Sequence, residues 1–298
     1  MEQIERWATD YRKFLQFAHA PRVLAGQRYL TPDQENLWDT ICANKKTVCK
    51  AGFGVGKDYV VARIALWYFL TRGMVPPNEC IVLTISPQFK QLKDVMWGEI
   101  RSAIGRMSEY FEIPGLLPQD PYCMPWPAEA PKWFMRGIVP KATGGFTGRH
   151  AQHVMIILDE ACDVAPHIWD ACESMTPGPD DKIIAIGNPL DTDTKFYERF
   201  QSETWAHVTI SARDNVDWKL PGGVTQDLID EWEADYGPDS AWCRAKIDGE
   251  FPEQAEDQLI PLAWIEKAMK RDPLEFVENP KSEADRLIET RRMGVDVS

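Results

Sequence analysis

The stretch Lys50-Ala51-Gly52-Phe53-Gly54-Val55-Gly56-Lys57-Asp58 constrains this chain more than any other. It follows a short apolar run, Thr47 to Cys49, and opens a helical pattern that continues from Asp58 to about Leu70. Strand, glycine-rich turn, lysine and helix, in that order, are the parts of a phosphate-binding loop. Closely spaced glycines let successive backbone N–H groups converge on phosphate oxygens. The helix N-terminus adds partial positive charge and Lys57 a full one. The candidate nucleotide-binding residues are therefore Gly52, Phe53, Gly54, Val55, Gly56, Lys57 and Asp58. Two positions depart from the usual pattern. Ala51 stands at its first glycine, and Asp58 stands where a Ser or Thr hydroxyl would hold Mg²⁺. A strand-to-helix turn with glycines for tight packing is the alternative reading.

A second stretch supplies what a nucleotide site still needs. Val154-Met155-Ile156-Ile157-Leu158 is continuously apolar, as a strand buried on both faces of a parallel sheet must be. Asp159 and Glu160 follow at its C-terminal end, where open α/β sheets place ligands. An apolar strand ending in two carboxylates is a Walker B arrangement. Asp159 is the candidate Mg²⁺ ligand, with Asp58 as a second, and Glu160 the candidate carboxylate that polarises the attacking water. The alternative is a solvated Asp-Glu pair capping the next helix. Together the two stretches point to binding and hydrolysis of a nucleoside triphosphate with Mg²⁺, ATP by the fuller pattern below.

With 33 Lys+Arg against 46 Asp+Glu, a formal net charge of −13, the chain does not have the composition of a general nucleic-acid coat. Contact with DNA would need a local basic surface or an assembly. The seven cysteines, an odd number without a Cys-x-x-Cys pair, argue against a disulfide framework or a zinc site. There is no basic-then-apolar leader and no apolar run near the ~20 residues of a membrane span, so the expectation is a soluble intracellular protein.

Along the chain, residues 1 to about 28 read as a helix with a loose apolar stripe of Ile4, Trp7, Tyr11, Phe14 and Leu15. Thr31-Pro32-Asp33-Gln34 has the signature of a helix start, with Leu37, Trp38 and Ile41 facing inward. Cys80 to Ile85 reads as a buried strand, Gln88 to about Ile104 as a helix, and the proline-rich segment 113–131 as a loop excursion. Trp133 to Val139 and Ile183 to Gly187 read as further strands, with a helix near His167 to Met175 between them. Strands alternating with helices predict a mostly parallel sheet covered on both faces. From about Leu220, segments near 225–236, 239–247 and 262–270 read as a small helical subdomain. The resulting division is 1–45, N-terminal helices; 46–218, ATPase core; 219–290, helical lid or linker; and 291–298, the first strand of something further.

So placed, the pieces resemble the large terminase subunit of tailed bacteriophages and prophages over nearly the whole chain. Leu30-Thr31-Pro32-Asp33-Gln34 is similar to the family's adenine-reading glutamine motif, and Ala51 to Lys57 to its glycine-rich loop. Thr84-Ile85-Ser86-Pro87 with Gln91 resembles its next helicase-type motif. Gly145 to His150 followed by Ile157-Leu158-Asp159-Glu160-Ala161 is the most distinctive pairing. Asn188, in Ile186-Gly187-Asn188-Pro189, sits where the coupling motif would be, and Tyr236 to Pro252 resembles the close of the ATPase region. Gly294-Val295-Asp296 resembles the first strand of its RNase H-like nuclease, whose first acid, Asp296, binds metal; the site is incomplete and no nuclease activity is expected.

The resemblance implies a P-loop NTPase fold of the ASCE type with a small C-terminal helical lid. It implies an ATPase motor that couples Mg²⁺-ATP hydrolysis to translocation of double-stranded DNA into a procapsid. The implied partners are a portal protein, a small terminase subunit and further copies in a ring, with no membrane, in the cytoplasm of an infected bacterial host. A helicase-like nucleic-acid-remodelling ATPase and a non-hydrolysing nucleotide-gated assembly module are the alternatives. Individual residues keep two readings each. Gln34 either reads adenine or closes a capping box. Arg149, ten residues before Asp159, is either an arginine finger reaching a neighbouring subunit or an ordinary loop or DNA-backbone contact, with Arg136 and Lys141 as further candidates. Asn188 either senses the γ-phosphate or ends a strand before a turn proline.

Overall fold

Apolar runs four to six residues long, bounded by glycine, proline and acids, build the centre of this protein. The computed structural model describes residues 2–18, 29–110, 117–119, 122–124, 130–140, 148, 150–220 and 222–252. Strands β1 (Lys46–Ala51), β2 (Cys80–Ile85), β3 (Leu117–Gln119), β4 (Tyr122–Met124), β5 (Trp133–Ile138), β6 (His153–Leu158), β7 (Lys182–Gly187) and β8 (Ala206–Ile210) form one sheet in the order β3-β4-β5-β2-β6-β7-β1-β8. From β5 to β8 all pairings are parallel. In β1, β2, β6 and β7 nearly every residue is buried on both faces, which is why β2, β6 and β7 read as nearly continuous apolar runs, whereas β1 buries Thr47 and Lys50 as well.

Register brings the functional ends together. Ile85 lies opposite Leu158, and Lys50 opposite Gly187, so β1, β2, β6 and β7 all finish at one edge of the sheet. The strand interposed between β1 and β6 is β7, while β2 lies beyond β6. Sequence order, which puts the Cys80 strand between the two motifs, does not reveal this.

One face of the sheet is covered by helices α1 (Glu2–Thr9), α2 (Tyr11–Ala18), α3 (Pro32–Ala43), α4 (Lys57–Gly73), α5 (Phe89–Gln91) and α6 (Trp97–Ser108). Helix α4 is buried all round, from Tyr59 to Thr71 without interruption, because it lies between the sheet and the other helices. The opposite face carries α7 (Pro166–Ser174) and α8 (Lys195–Phe200), whose Ile168, Trp169, Cys172 and Phe196 form a second apolar layer with Leu83, Ile156 and Ala185. Helices α9 (Gln226–Tyr236) and α10 (Ala241–Cys243), continued by a wide π turn over Arg244–Asp248, follow, and they place Ile229, Cys243 and Ile247 in the first layer. Residues to Pro252 form one compact unit. Lys50 pairs with Glu250 and lies over the rings of Phe200 and Phe251, fastening that end to β1.

The structure revises several expectations. The helix expected over 1–28 is two helices: the chain breaks at Asp10, whose carboxylate accepts the Arg12 N–H at 3.0 Å, although all five stripe residues are buried as expected. The helix expected from Gln88 runs on to Ser108 through a π turn at Leu92–Met96 between α5 and α6. The proline-rich excursion contains the β3–β4 hairpin, which extends the sheet antiparallel to β5. Strand β8 was not expected: it lies at the sheet edge, and its alternating burial follows from its exposed side. The segment 262–270, residues 19–28, Lys141, Arg149 and Asp296 lie outside the described residues. Among the described residues no helix is long and apolar enough to cross a membrane.

Gly73 closes α4 directly beneath Trp133, whose indole N–H donates to the Phe69 carbonyl at 3.0 Å. A Cβ there would lie 1.7 Å from Trp133 Nε1. Helix propensity alone favours Gly73→Ala by about 1 kcal/mol. The close approach reverses the sign, and the variant is expected to lose about 1–3 kcal/mol in urea unfolding.

Candidate nucleotide site

The loop from Gly52 to Gly56 turns the chain from β1 into α4. Gly54 and Gly56 have φ of 65° and 76°, a left-handed conformation that a side chain would strain, and this explains why glycines punctuate the loop. Its flanks are tied down. The Gly52 N–H donates to the Ile210 carbonyl at 2.9 Å and the Phe53 N–H to the Lys246 carbonyl at 2.7 Å. Gln34 braces it from the other side. Its Oε1 accepts the Thr31 N–H at 3.1 Å, its own N–H reaches Thr31 Oγ1, and its Nε2 donates to the Val55 carbonyl at 2.8 Å. The capping-box reading is thus realised in full. The same amide also holds the loop, a role that sequence reasoning did not assign.

Lys57 is the first residue of α4. Its Nζ lies 3.5 Å from Asp58 Oδ2 and 3.6 Å from Glu160 Oε1. Burial works against its charge, but Asp58, Glu160 and Asp159 outweigh burial and hold its pKa above the ordinary lysine value. Asp159 is fully buried at the end of β6. Burial, then the adjacent Asp58, then Glu160 raise its carboxyl well above the usual range, against the lowering influence of Lys57. Asp159 Oδ1 accepts the Glu160 N–H at 2.8 Å. Asp159 Oδ2 and Asp58 Oδ1 are buried without a hydrogen-bond partner. Two carboxyls facing each other with orphaned oxygens call for a proton or a cation between them, and a hard divalent cation suits this donor set. Among the described residues no three His, Cys, Asp or Glu side chains form a metal cage by themselves. The pair therefore fits Mg²⁺ that keeps waters and phosphate oxygens as its other ligands.

Glu160 adopts φ 46° and ψ 51°, left-handed for a non-glycine residue. Such strain persists only where the surroundings impose it, commonly at functional sites. Here the turn brings the carboxylate back to Lys57, and the same Oε1 accepts a hydrogen bond from Gln91 Nε2 at 3.1 Å. Gln91 enters the sequence analysis only as part of a motif; the structure puts it in contact with the candidate catalytic carboxylate. At the end of β7, buried Asn188 donates from Nδ2 to the Ala51 carbonyl at 2.6 Å, joining the strand between the two motifs to the start of the loop. Arg136 lies on β5 with its guanidinium over the Tyr122 ring at 4.8 Å, which accounts for it within the sheet edge.

No family model matches the chain. Among curated proteins it is 22% identical over 274 residues to a "Probable terminase, large subunit" of Enterobacteria phage P7, covering 85% of this chain and 51% of that protein. The chain thus spans about half the length of the curated relative it matches. Among solved structures it is similar to the Thermus phage P74-26 large terminase ATPase domain, at 18% identity and TM-score 0.59, over 80% of this chain and 97% of that one. It is also similar to the large terminase of a thermophilic bacteriophage in complex with ADP, at 11% identity and TM-score 0.53, over 74% and 53% of the two chains. The resemblance carried by the motifs is met in both comparisons. The fold is that seen in the ATPase domain of the phage large terminase, a mostly parallel sheet flanked by helices.

The facing carboxyls set a pH dependence. Because the folded-state pKa of Asp159 is raised, its protonated form stabilises the fold. That contribution is full below the ordinary carboxylate range and is lost as pH rises through the raised value. In melting curves without divalent cations, Asp58→Asn is expected to flatten this loss and to stabilise the chain at neutral pH. Added Mg²⁺ is expected to raise the midpoint of the wild type more than that of the variant.

Proposed function

We propose that this chain is the ATPase part of a phage DNA-packaging motor, binding Mg²⁺-ATP at the loop and hydrolysing it. The observation that carries the reading is the meeting of Lys57, Glu160 and the orphaned Asp58–Asp159 pair at one edge of the sheet. Lys57 and the loop amides hold the phosphates. Asp159 and Asp58 would hold Mg²⁺, which when bound would neutralise phosphate charge. Glu160, oriented by Gln91, accepts the proton of the attacking water. Gln34, bonded to the loop, would read adenine, and Asn188, which links the loop to β7, would serve as the coupling residue.

On the same reading the chain divides into N-terminal helices to 45, an ATPase core to 218, a helical lid to 290 and the start of a nuclease containing Asp296. Double-stranded DNA, portal, small subunit and a homo-oligomeric ring are the partners, and the host cytoplasm the place of action. Arg149 serves as a finger supplied to a neighbouring subunit.

Lys57→Ala is expected to abolish binding of an ATP analogue in equilibrium titration, because it removes the full charge facing the phosphates. Glu160→Gln is expected to keep nucleotide affinity and lose turnover about 10²–10⁴-fold in a phosphate-release assay. Undiminished single-turnover hydrolysis would assign the base to another group, and absence of turnover in the wild type would favour the nucleotide-gated assembly module. For Arg149, mixing an Arg149→Ala chain with a Glu160→Gln chain is expected to restore ATPase activity in co-assembled rings. No recovery despite co-assembly would count against action in trans.

A further inference from the structure

A cation outside the candidate site residues lies against the phosphate loop. Lys246 sits in the π turn Arg244–Asp248, nearly 200 residues after the loop in sequence. Its carbonyl accepts the Phe53 N–H at 2.7 Å, and the next carbonyl, that of Ile247, accepts the Ala212 N–H at 2.7 Å. The turn is therefore bonded both to the loop and to the chain leaving β8, and the root of the Lys246 side chain is fixed. Its ammonium lies 4.5 Å from the centroid of the Phe53 ring. The residue is half-buried, yet among the described residues its ammonium has neither an ion pair nor a hydrogen bond.

Burial lowers the pKa of Lys246, Glu160 raises it and Lys57 lowers it. Lys57 and Lys246 thus both feel the Glu160 carboxylate, and among the described residues Lys246 has no ion pair of its own. Desolvating an ammonium beside a like charge is unfavourable unless an anion joins them. The ring of Phe53 offsets part of this cost but leaves the three N–H donors unspent.

We propose that Lys246 is a second phosphate-directed cation, supplied in cis, which binds the terminal phosphate of a nucleoside triphosphate opposite Lys57. This rests on the reading of the loop as an ATP site. The electrostatic neighbours of Lys246 include Glu160, the candidate catalytic carboxylate just after β6, and Asp163 in the turn that follows it. A diphosphate would leave Lys246 without its ligand. Because its carbonyl is bonded to the loop, the same residue would report the terminal phosphate to the 244–248 turn.

Equilibrium titration of the full chain with ATPγS and with ADP, both with Mg²⁺, tests this. K246M is expected to lose about 10- to 100-fold in ATPγS affinity, as for loss of a charge-assisted contact, with ADP affinity unchanged. K246R, which keeps the charge, is expected to retain most of the preference for ATPγS, and K246Q to behave as K246M, so that a folding defect in one variant leaves the other to decide. Equal losses for both nucleotides would make Lys246 a strut for the loop and overturn the proposal, as would unchanged ATPγS affinity. Wild-type chain that binds neither nucleotide would overturn the ATP reading itself.

Discussion

The rest of the site depends on how Lys57 is held. Its ammonium lies among Asp58, Asp159 and Glu160, so three carboxyl groups crowd it before any phosphate arrives. A polyphosphate entering such a place needs positive charge beyond that of Lys57. Further cation must come with it, and the two orphaned carboxylate oxygens lie where that cation would be received. Asp58 is thus more than a departure from a motif: it shifts the balance of the site by putting a carboxyl against Asp159 where a neutral hydroxyl would stand. The rigidity around it keeps that balance from relaxing. Helix α4 is packed on all sides, Gln34 and Asn188 grip the two ends of the loop, and the strained Glu160 is held by Gln91.

What the sequence made legible follows from what was local. The loop, the buried strands and the capping box at Thr31 are each complete within about ten residues, and each is present where its pattern places it. The apolar runs were readable because both faces of the sheet are covered. Strand β8 was not, because an edge strand buries only alternate residues, and Ala206–Ile210 is too short for alternation to stand out. The β3–β4 hairpin was hidden by prolines, which a sheet tolerates at its edge.

Spatial order was the other thing missing. That β7 comes between β1 and β6 decides which residue touches the loop, yet nothing in linear spacing distinguishes it from β2. The partners of Gln91 and Lys246 are 69 and 193 residues away, at Glu160 and Phe53, and their contacts exist only once the sheet has assembled. Gln34 is a further case: the capping box uses only its amide oxygen, and the nitrogen at the other end reaches the Val55 carbonyl, 21 residues on, a contact that the local pattern does not reveal.

The π turn at Leu92–Met96 has a consequence for how this site can change over evolution. A π turn is a helix carrying one residue more than its turn needs, so the helical phases before and after it are out of step. Upstream, Gln91 faces Glu160; downstream, Trp97 points into the core and donates to Thr84 Oγ1 at 2.9 Å. The extra residue lets those two directions be set independently on what is nearly a continuous helix. Deleting a single residue from this turn would restore an ordinary α-helix and swing Gln91 by about 100° relative to the core-packed half. The alignment of Gln91 on Glu160 and the packing of the core are here separated by the length of one residue, and drift in one need not disturb the other.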